Sequence, residues 1–111
     1  MANSVHAKIR DLNDQFRRNP TLHGRVMVTA AVNAKGWAFV LKVMETIKAY
    51  DAFTKDNDPY GEHDFLNFEV DGEKLFVKID YYDQSMEHGS EDPSDPSKTT
   101  RVMTIMFPED Y

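Results

Sequence analysis

Leu66-Asn67-Phe68-Glu69-Val70-Asp71-Gly72-Glu73-Lys74-Leu75-Phe76-Val77-Lys78-Ile79-Asp80-Tyr81-Tyr82 is the stretch on which the fold turns. Leu66, Phe68 and Val70 alternate with Asn67 and Glu69, the period of a strand with one buried face. Asp71-Gly72 follows, and both residue types tolerate the positive φ that a two-residue hairpin turn needs. Leu75, Val77, Ile79 and Tyr81 then alternate with Phe76, Lys78, Asp80 and Tyr82. A hairpin pairing residues 65–70 with 73–80 is therefore expected. Its register would leave Lys78, Asp80 and Tyr82 on the solvent face. Tyr81 and Tyr82 must point to opposite faces. One joins the core, and the other is a half-buried phenol or a recognition aromatic.

Working outward, a polar stretch from Gln84 to Ser97 holds Pro93 and Pro96 and is long for a loop in so small a chain. Thr99 to Phe107 reads as the last strand, stopped by Pro108. Upstream, Val5, Ile9, Leu12 and Phe16 form one stripe of an amphipathic helix, with Asn3 or Ser4 as its cap. Asn19-Pro20 ends it, because the residue before Pro is driven out of the helical region. Arg25 to Val32 is rich in β-branched residues and reads as a strand. Asn33 then caps a second helix with Trp37, Val40, Val43, Met44, Ile47 and Tyr50 on its apolar face, and Gly36 weakens its first turn. The order is α-β-α-β-β-β. It predicts a single α+β domain over residues 1–111, with two helices packed on one face of a mostly antiparallel four-stranded sheet.

The chain has 111 residues, 41% hydrophobic and 29% charged, which suits one soluble globular domain. It has no cysteine, so disulfides, thiolate metal sites and Cys nucleophiles are excluded. No signal peptide or membrane span is read, and a cytoplasmic location is expected. Charge is unevenly placed. Residues 1–55 carry nine Lys/Arg against four Asp/Glu, and residues 56–111 carry four against fifteen. Either the basic half supports the acidic half internally, or an acidic face is left for cations or basic proteins. Direct nucleic-acid binding is disfavoured, because the residues interleaved with the aromatics are acidic.

The acid is concentrated in Asp56-Asn57-Asp58-Pro59-Tyr60-Gly61-Glu62-His63-Asp64, in Asp80-Tyr81-Tyr82-Asp83 and in Ser90-Glu91-Asp92-Pro93-Ser94-Asp95-Pro96. Asp56, Asp58 and Gly61 sit at EF-hand spacing, but Tyr60 and Asn67 occupy ligand positions and a strand follows, which argues against that motif. Asp58, Glu62, His63, Asp64 and Asp80 could supply oxygen and nitrogen ligands to a divalent cation if the hairpin brought Asp64 near Asp80. No nucleophile motif, phosphate loop or zinc-protease motif is present. Arg101 is the only Arg after residue 25. It is expected to organise the acidic turns by pairing with Asp80, Asp83 or a residue of 56–64. The candidate binding residues are Asp58, Tyr60, Glu62, His63, Asp64, Asp80, Tyr82, Asp83, Glu91, Asp92 and Arg101.

Leu12-Asn13-Asp14, the run from Phe53 to Phe65, Lys78-Ile79-Asp80-Tyr81-Tyr82-Asp83 and the run from Ser90 to Met106 resemble a small bacterial family catalogued as domain of unknown function 3768. The likeness extends along nearly the whole chain, and only Phe107-Pro108-Glu109-Asp110-Tyr111 departs from the family's ending. The resemblance implies a soluble protein, often carried on plasmids and other mobile elements, with no assigned activity or ligand. It suggests a mobile-element accessory or anti-defence protein. With the acidic second half, the expectation is a non-enzymatic, cofactor-free protein that engages a basic protein partner through residues 56–64, 80–83 and 87–95. The alternative is a metal-binding protein or metal-dependent hydrolase.

Overall fold

Asp71 and Gly72 adopt φ values of 53° and 80°, and the hairpin closes on them. The computed structural model of the chain describes residues 4–111. Strand β2 (Phe65–Val70) pairs antiparallel with β3 (Glu73–Tyr82), Phe65 opposite Lys78 and Val70 opposite Glu73. β4 (Thr100–Met106) lies on the other side of β3, also antiparallel. β1 (Arg25–Val28) pairs with β4 in parallel, Arg25 opposite Val102. The sheet order is β1-β4-β3-β2, so the sheet is mixed and antiparallel in two of its three pairings.

Helix α1 (Ser4–Arg18) stops before Asn19-Pro20, as expected. A cap from Asn3 or Ser4 lies outside the described side chains. Short helical turns follow at α2 (Pro20–His23) and α3 (Ala30–Asn33), and α4 (Trp37–Ala49) is the second long helix. The described chain therefore holds four helical segments, not two. The predicted strand over Arg25–Val32 is cut short at Val28. The ladder between β1 and β4 ends at Val28 opposite Ile105, whose carbonyl accepts one further bond from the Thr29 amide at 3.0 Å. The Thr29 hydroxyl then caps α3 by accepting from the Val32 amide. Ala30-Ala31 favours helix once the ladder is lost. Asn33 is used up at the end of α3, so Gly36, at φ 100°, is the N-cap of α4.

The core fills the space between the helices and one sheet face. Leu66 and Val70 of β2, Leu75, Val77 and Ile79 of β3, and Met103 and Ile105 of β4 meet Phe16, Val32, Phe39, Val43 and Ile47. α4 turns inward along Phe39, Val43 and Ile47, an i, i+4, i+8 row. Trp37 does not join the apolar face assigned to it and is exposed. Val5 is likewise exposed, and the inner row of α1 runs through Ile9, Asn13, Phe16 and Arg17. Helix α1 thus carries two buried polar side chains on its inner row, Asn13 and Arg17. Among the described residues, no helix is long and apolar enough to cross a membrane.

Candidate functional site

Asn13 is fully buried and lies at the centre of a polar network that ties α1 to the 58–64 turn and the sheet. Its Nδ2 donates to the Glu62 carbonyl and to the Tyr81 hydroxyl, each at 2.9 Å. Its Oδ1 accepts from Arg101 Nε at 2.7 Å. Arg101, 4% exposed, also donates through a terminal nitrogen to the Pro93 carbonyl at 2.6 Å. Its guanidinium carbon sits 5.0 Å from the centre of the Tyr81 ring. The expected pairing of Arg101 with Asp80, Asp83 or the 56–64 turn is therefore corrected. No Arg101–carboxylate contact falls among the salt bridges of the described residues. Burial lowers the Arg101 pKa, with the nearby Tyr81 and Glu62 opposing that. The cation is held by neutral oxygens and an aromatic face.

His6 and His63 extend this network along α1. His6 Nδ1 lies 2.6 Å from Glu62 Oε2, and its ring stacks on Tyr60. His63 takes a left-handed backbone with φ 58°. Its ring lies flat on Phe53 at 3.7 Å, its Nδ1 is 2.9 Å from Asp14, and its Nε2 is 3.5 Å from Asp58. Asp14 also accepts from Arg17 at 2.7 Å, and Arg17 donates to the carbonyls of Ile47 and Tyr50 near the end of α4. Burial alone would push the Asp14 carboxyl up, but the Arg17 and His63 hydrogen bonds and charges outweigh it, and the net shift is downward. A depressed carboxylate contributes stability above its ordinary pKa and loses it as pH falls through the folded value, here below 3.8. Asp14→Asn should cost about 1–3 kcal/mol at neutral pH, and the gap from wild type should shrink in acid through that window. Denaturant titrations of both proteins over a pH series check this. A gap that is constant with pH would mean that the Asp14 charge contributes nothing.

Asp64 behaves in the opposite sense. Burial raises its pKa first, and the neighbouring Glu62 and Asp58 charges raise it further. Ionising it costs stability as pH rises, so it is not a counter-ion that holds the site together. Asp58 accepts the His63 amide at 3.2 Å and thereby shapes the turn.

The sheet pleat separates the remaining candidates. Tyr81 faces the helices, while Asp80 and Tyr82 face the other way, into a cleft on the uncovered sheet face. The Ile79 amide donates to the Asp64 carbonyl, so the backbones of Asp64 and β3 do meet, but the Asp80 side chain points away from Glu62 and Tyr81. Asp58, Glu62, His63, Asp64 and Asp80 are therefore not gathered into one ligand set. Among the described residues, no three His, Asp or Glu side chains are placed to hold a metal ion. Asp83 accepts from Ser85, Glu87 and His88, and Asp92 accepts from Ser94. The Ser85 hydroxyl is the main cause of the lowered Asp83 pKa. Glu91 lies 3.5 Å from Lys98 on the surface. These residues organise the loop between β3 and β4, whose start pairs back onto β3 at Tyr82 and Gly89.

The cleft has a volume of about 530 Å³. Met27, Met86, Val102 and Met106 give it an apolar lining, and Asp80, Tyr82, Thr104, Asp110 and Tyr111 supply polar groups. Lys78 pairs with Asp80 at 3.2 Å, and both side chains are more than a third exposed. Lys78 also lies 5.9 Å from the Tyr111 ring. Asp110 accepts from the Thr29 hydroxyl at 2.9 Å, which pins the 3₁₀ turn Pro108–Asp110 to the end of β1. Sequence reasoning placed Lys78, Asp80 and Tyr82 on this face but missed the methionines. Val102, Thr104 and Met106 alternate with the core residues of β4, and that spacing marks them as its outer face. Asn13 and Arg17 were also missed, although they continue the i, i+4 row of Ile9.

Residues 28–110 match the profile of a family described as protein of unknown function (DUF3768). No curated protein and no solved structure matches the chain. The matched stretch includes Glu62, His63, Tyr81 and Arg101 and both strands that line most of the cleft. Helix α1, which supplies Asn13 and Asp14, precedes it.

Proposed function

The chain belongs to this family of unknown function, and we propose that it is a non-enzymatic binding protein that takes a basic segment of a partner protein into the open-face cleft. The observation that carries this reading is the uncovered sheet face, concave and lined by thioethers beside two carboxylates and two phenols. Thioether side chains adapt to irregular apolar surface, such as the methylene stem of Lys or Arg. Asp80 supplies the charge and Tyr82 an aromatic face for the cation. The Lys78–Asp80 pair is exposed and so contributes little, and an incoming cation can replace Lys78 at small cost.

The reading narrows the partner surface expected from residues 56–64, 80–83 and 87–95. Asp58, Glu62 and Glu91 already have partners within the chain, which weakens the case for the 56–64 and 87–95 runs. Asp80→Asn with Tyr82→Ala should weaken binding of a Lys/Arg-rich peptide at least about tenfold, or about 1.4 kcal/mol. Added salt should weaken wild-type binding as well. Asp71→Asn makes the same charge change at the hairpin turn, where Asp71 meets only Lys42 among salt-bridge partners, and should leave binding unchanged. Calorimetric titration measures all three. Equal affinity for wild type and the double variant would remove the cleft from the reading.

A further inference from the structure

Met27 lines the cleft, whereas Val26 and Val28 pack against the core. Alternation along β1 therefore turns Arg25 onto the open face with Met27. Arg25 is exposed and takes part in no salt bridge among the described residues. The register sets it on one line with Asp80, because Val102 of β4 is the partner of Arg25 on β1 and of Asp80 on β3. Neighbouring strands lie about 4.8 Å apart, so the two backbones are about 10 Å apart across Val102. A guanidinium, an apolar side chain and the carboxylate of the cleft thus follow one another across three strands. Lys78, next but one to Asp80 on β3, is a second cation on this face.

On the reading of the cleft as a site for a basic segment, on which this proposal rests, that order of charges selects among such segments. A continuous run of Lys and Arg gains a contact at Asp80 but meets Arg25 and the displaced Lys78, and like charges brought face to face weaken binding. A segment that carries an acid near its base satisfies both ends of the line. In a polyproline-II chain, side chains three positions apart fall on one side and about 9 Å apart, close to the separation of Arg25 and Asp80. We infer that the partner of the cleft is a bipolar extended segment, which lays a Lys or Arg on Asp80 and, three residues away, an Asp or Glu on Arg25. Asp80 and Tyr82 anchor the cation, and Arg25 sets the specificity by rejecting a second one.

Peptides with one Lys and, three positions away, Glu, Gln or Lys are made in both orders along the chain and titrated into the protein by calorimetry at low salt. In the order that fits, wild type should bind the Glu peptide tightest and the Lys peptide weakest, at least about threefold apart, as expected of exposed charge pairs. Arg25→Gln should erase that difference, and Arg25→Glu should reverse it. Asp80→Asn should weaken all three peptides. Arg25 is exposed, and cooperative thermal unfolding shows that each variant is folded. Equal affinities of wild type for the three peptides, or a ranking that survives Arg25→Glu, overturn the bipolar partner while the cleft still binds cations through Asp80. Failure of every peptide to bind wild type overturns the reading of the cleft and the bipolar partner with it.

Discussion

Replacing Arg101 with Met is expected to destabilise the fold by about 3 kcal/mol, because two hydrogen bonds from a charged donor are lost at about 1.5–3 kcal/mol each. Release of a buried cation offsets part of that loss. Met fills much of the volume, so the effect reports polar connectivity more than a cavity. The substitution strands Asn13 Oδ1 and the Pro93 carbonyl, which Arg101 reaches at 2.7 and 2.6 Å. Asn13 would then keep only its bonds to Glu62 and Tyr81. Arg101→Lys should recover a minor part, since one ammonium does not reproduce the planar fork that spans both acceptors. Asn13→Leu should be similarly costly, and the Arg101→Met/Asn13→Leu double variant should cost well below the sum, as expected of groups in one network. Denaturant midpoints at constant slope give the values. A loss under about 1 kcal/mol for Arg101→Met would mean that the network does not hold α1 to the sheet.

Gly24→Ala should cost about 1–3 kcal/mol, toward the upper end of the range for overpacking. The reason is space and not backbone dihedral, because Gly24 has an ordinary extended φ of 175°. A Cβ added there would lie 2.6 Å from the Arg101 carbonyl oxygen and 2.7 and 2.8 Å from the Phe16 ring. The carbonyl belongs to the β4 ladder and cannot turn aside, and Phe16 is fully buried. Either β1 moves off β4 or Phe16 leaves its place in the core. For a domain of this size, each kcal/mol lowers Tm by about 4–8 °C. Phe16→Leu in the Gly24→Ala background should recover part of the loss by clearing the ring atoms, although Phe16→Leu alone destabilises. A Gly24→Ala protein within about 0.5 kcal/mol of wild type, by calorimetry, would show that the close approach relaxes freely.

The hairpin was legible because each of its signals is local. Alternation over Leu66–Val70 and Leu75–Tyr81 set the two faces, and Asp71-Gly72 set the register. The same alternation placed Asp80 and Tyr82 opposite Tyr81, and the structure agrees. Arg25–Val32 misled for an equally physical reason. β propensity describes how residues suit a strand, but a strand needs a partner, and the pairing with β4 runs only as far as Val28 opposite Ile105. Trp37 misled because helical periodicity reports amphipathic spacing, while the orientation of α4 on the sheet selects which part of a broad apolar face is buried.

By itself the sequence determined the class of fold, the hairpin and its register, the helix stop at Asn19-Pro20, the exclusion of cysteine chemistry and the uneven placement of charge. All of these follow from neighbours along the chain or from counting. Tertiary structure alone decided the parallel pairing of β1 with β4, the separation of Asp80 from Glu62 and His63 into two sites, and the partners of Arg101. The Arg101–Asn13 bond joins residues 88 positions apart. A contact of that span leaves no periodic trace, and a charged side chain among many carboxylates reads in sequence as a salt bridge. Once α1 packs on the sheet, Asn13 reaches Arg101 and a carbonyl completes its shell. Geometry and desolvation then choose neutral oxygens over the more numerous charges.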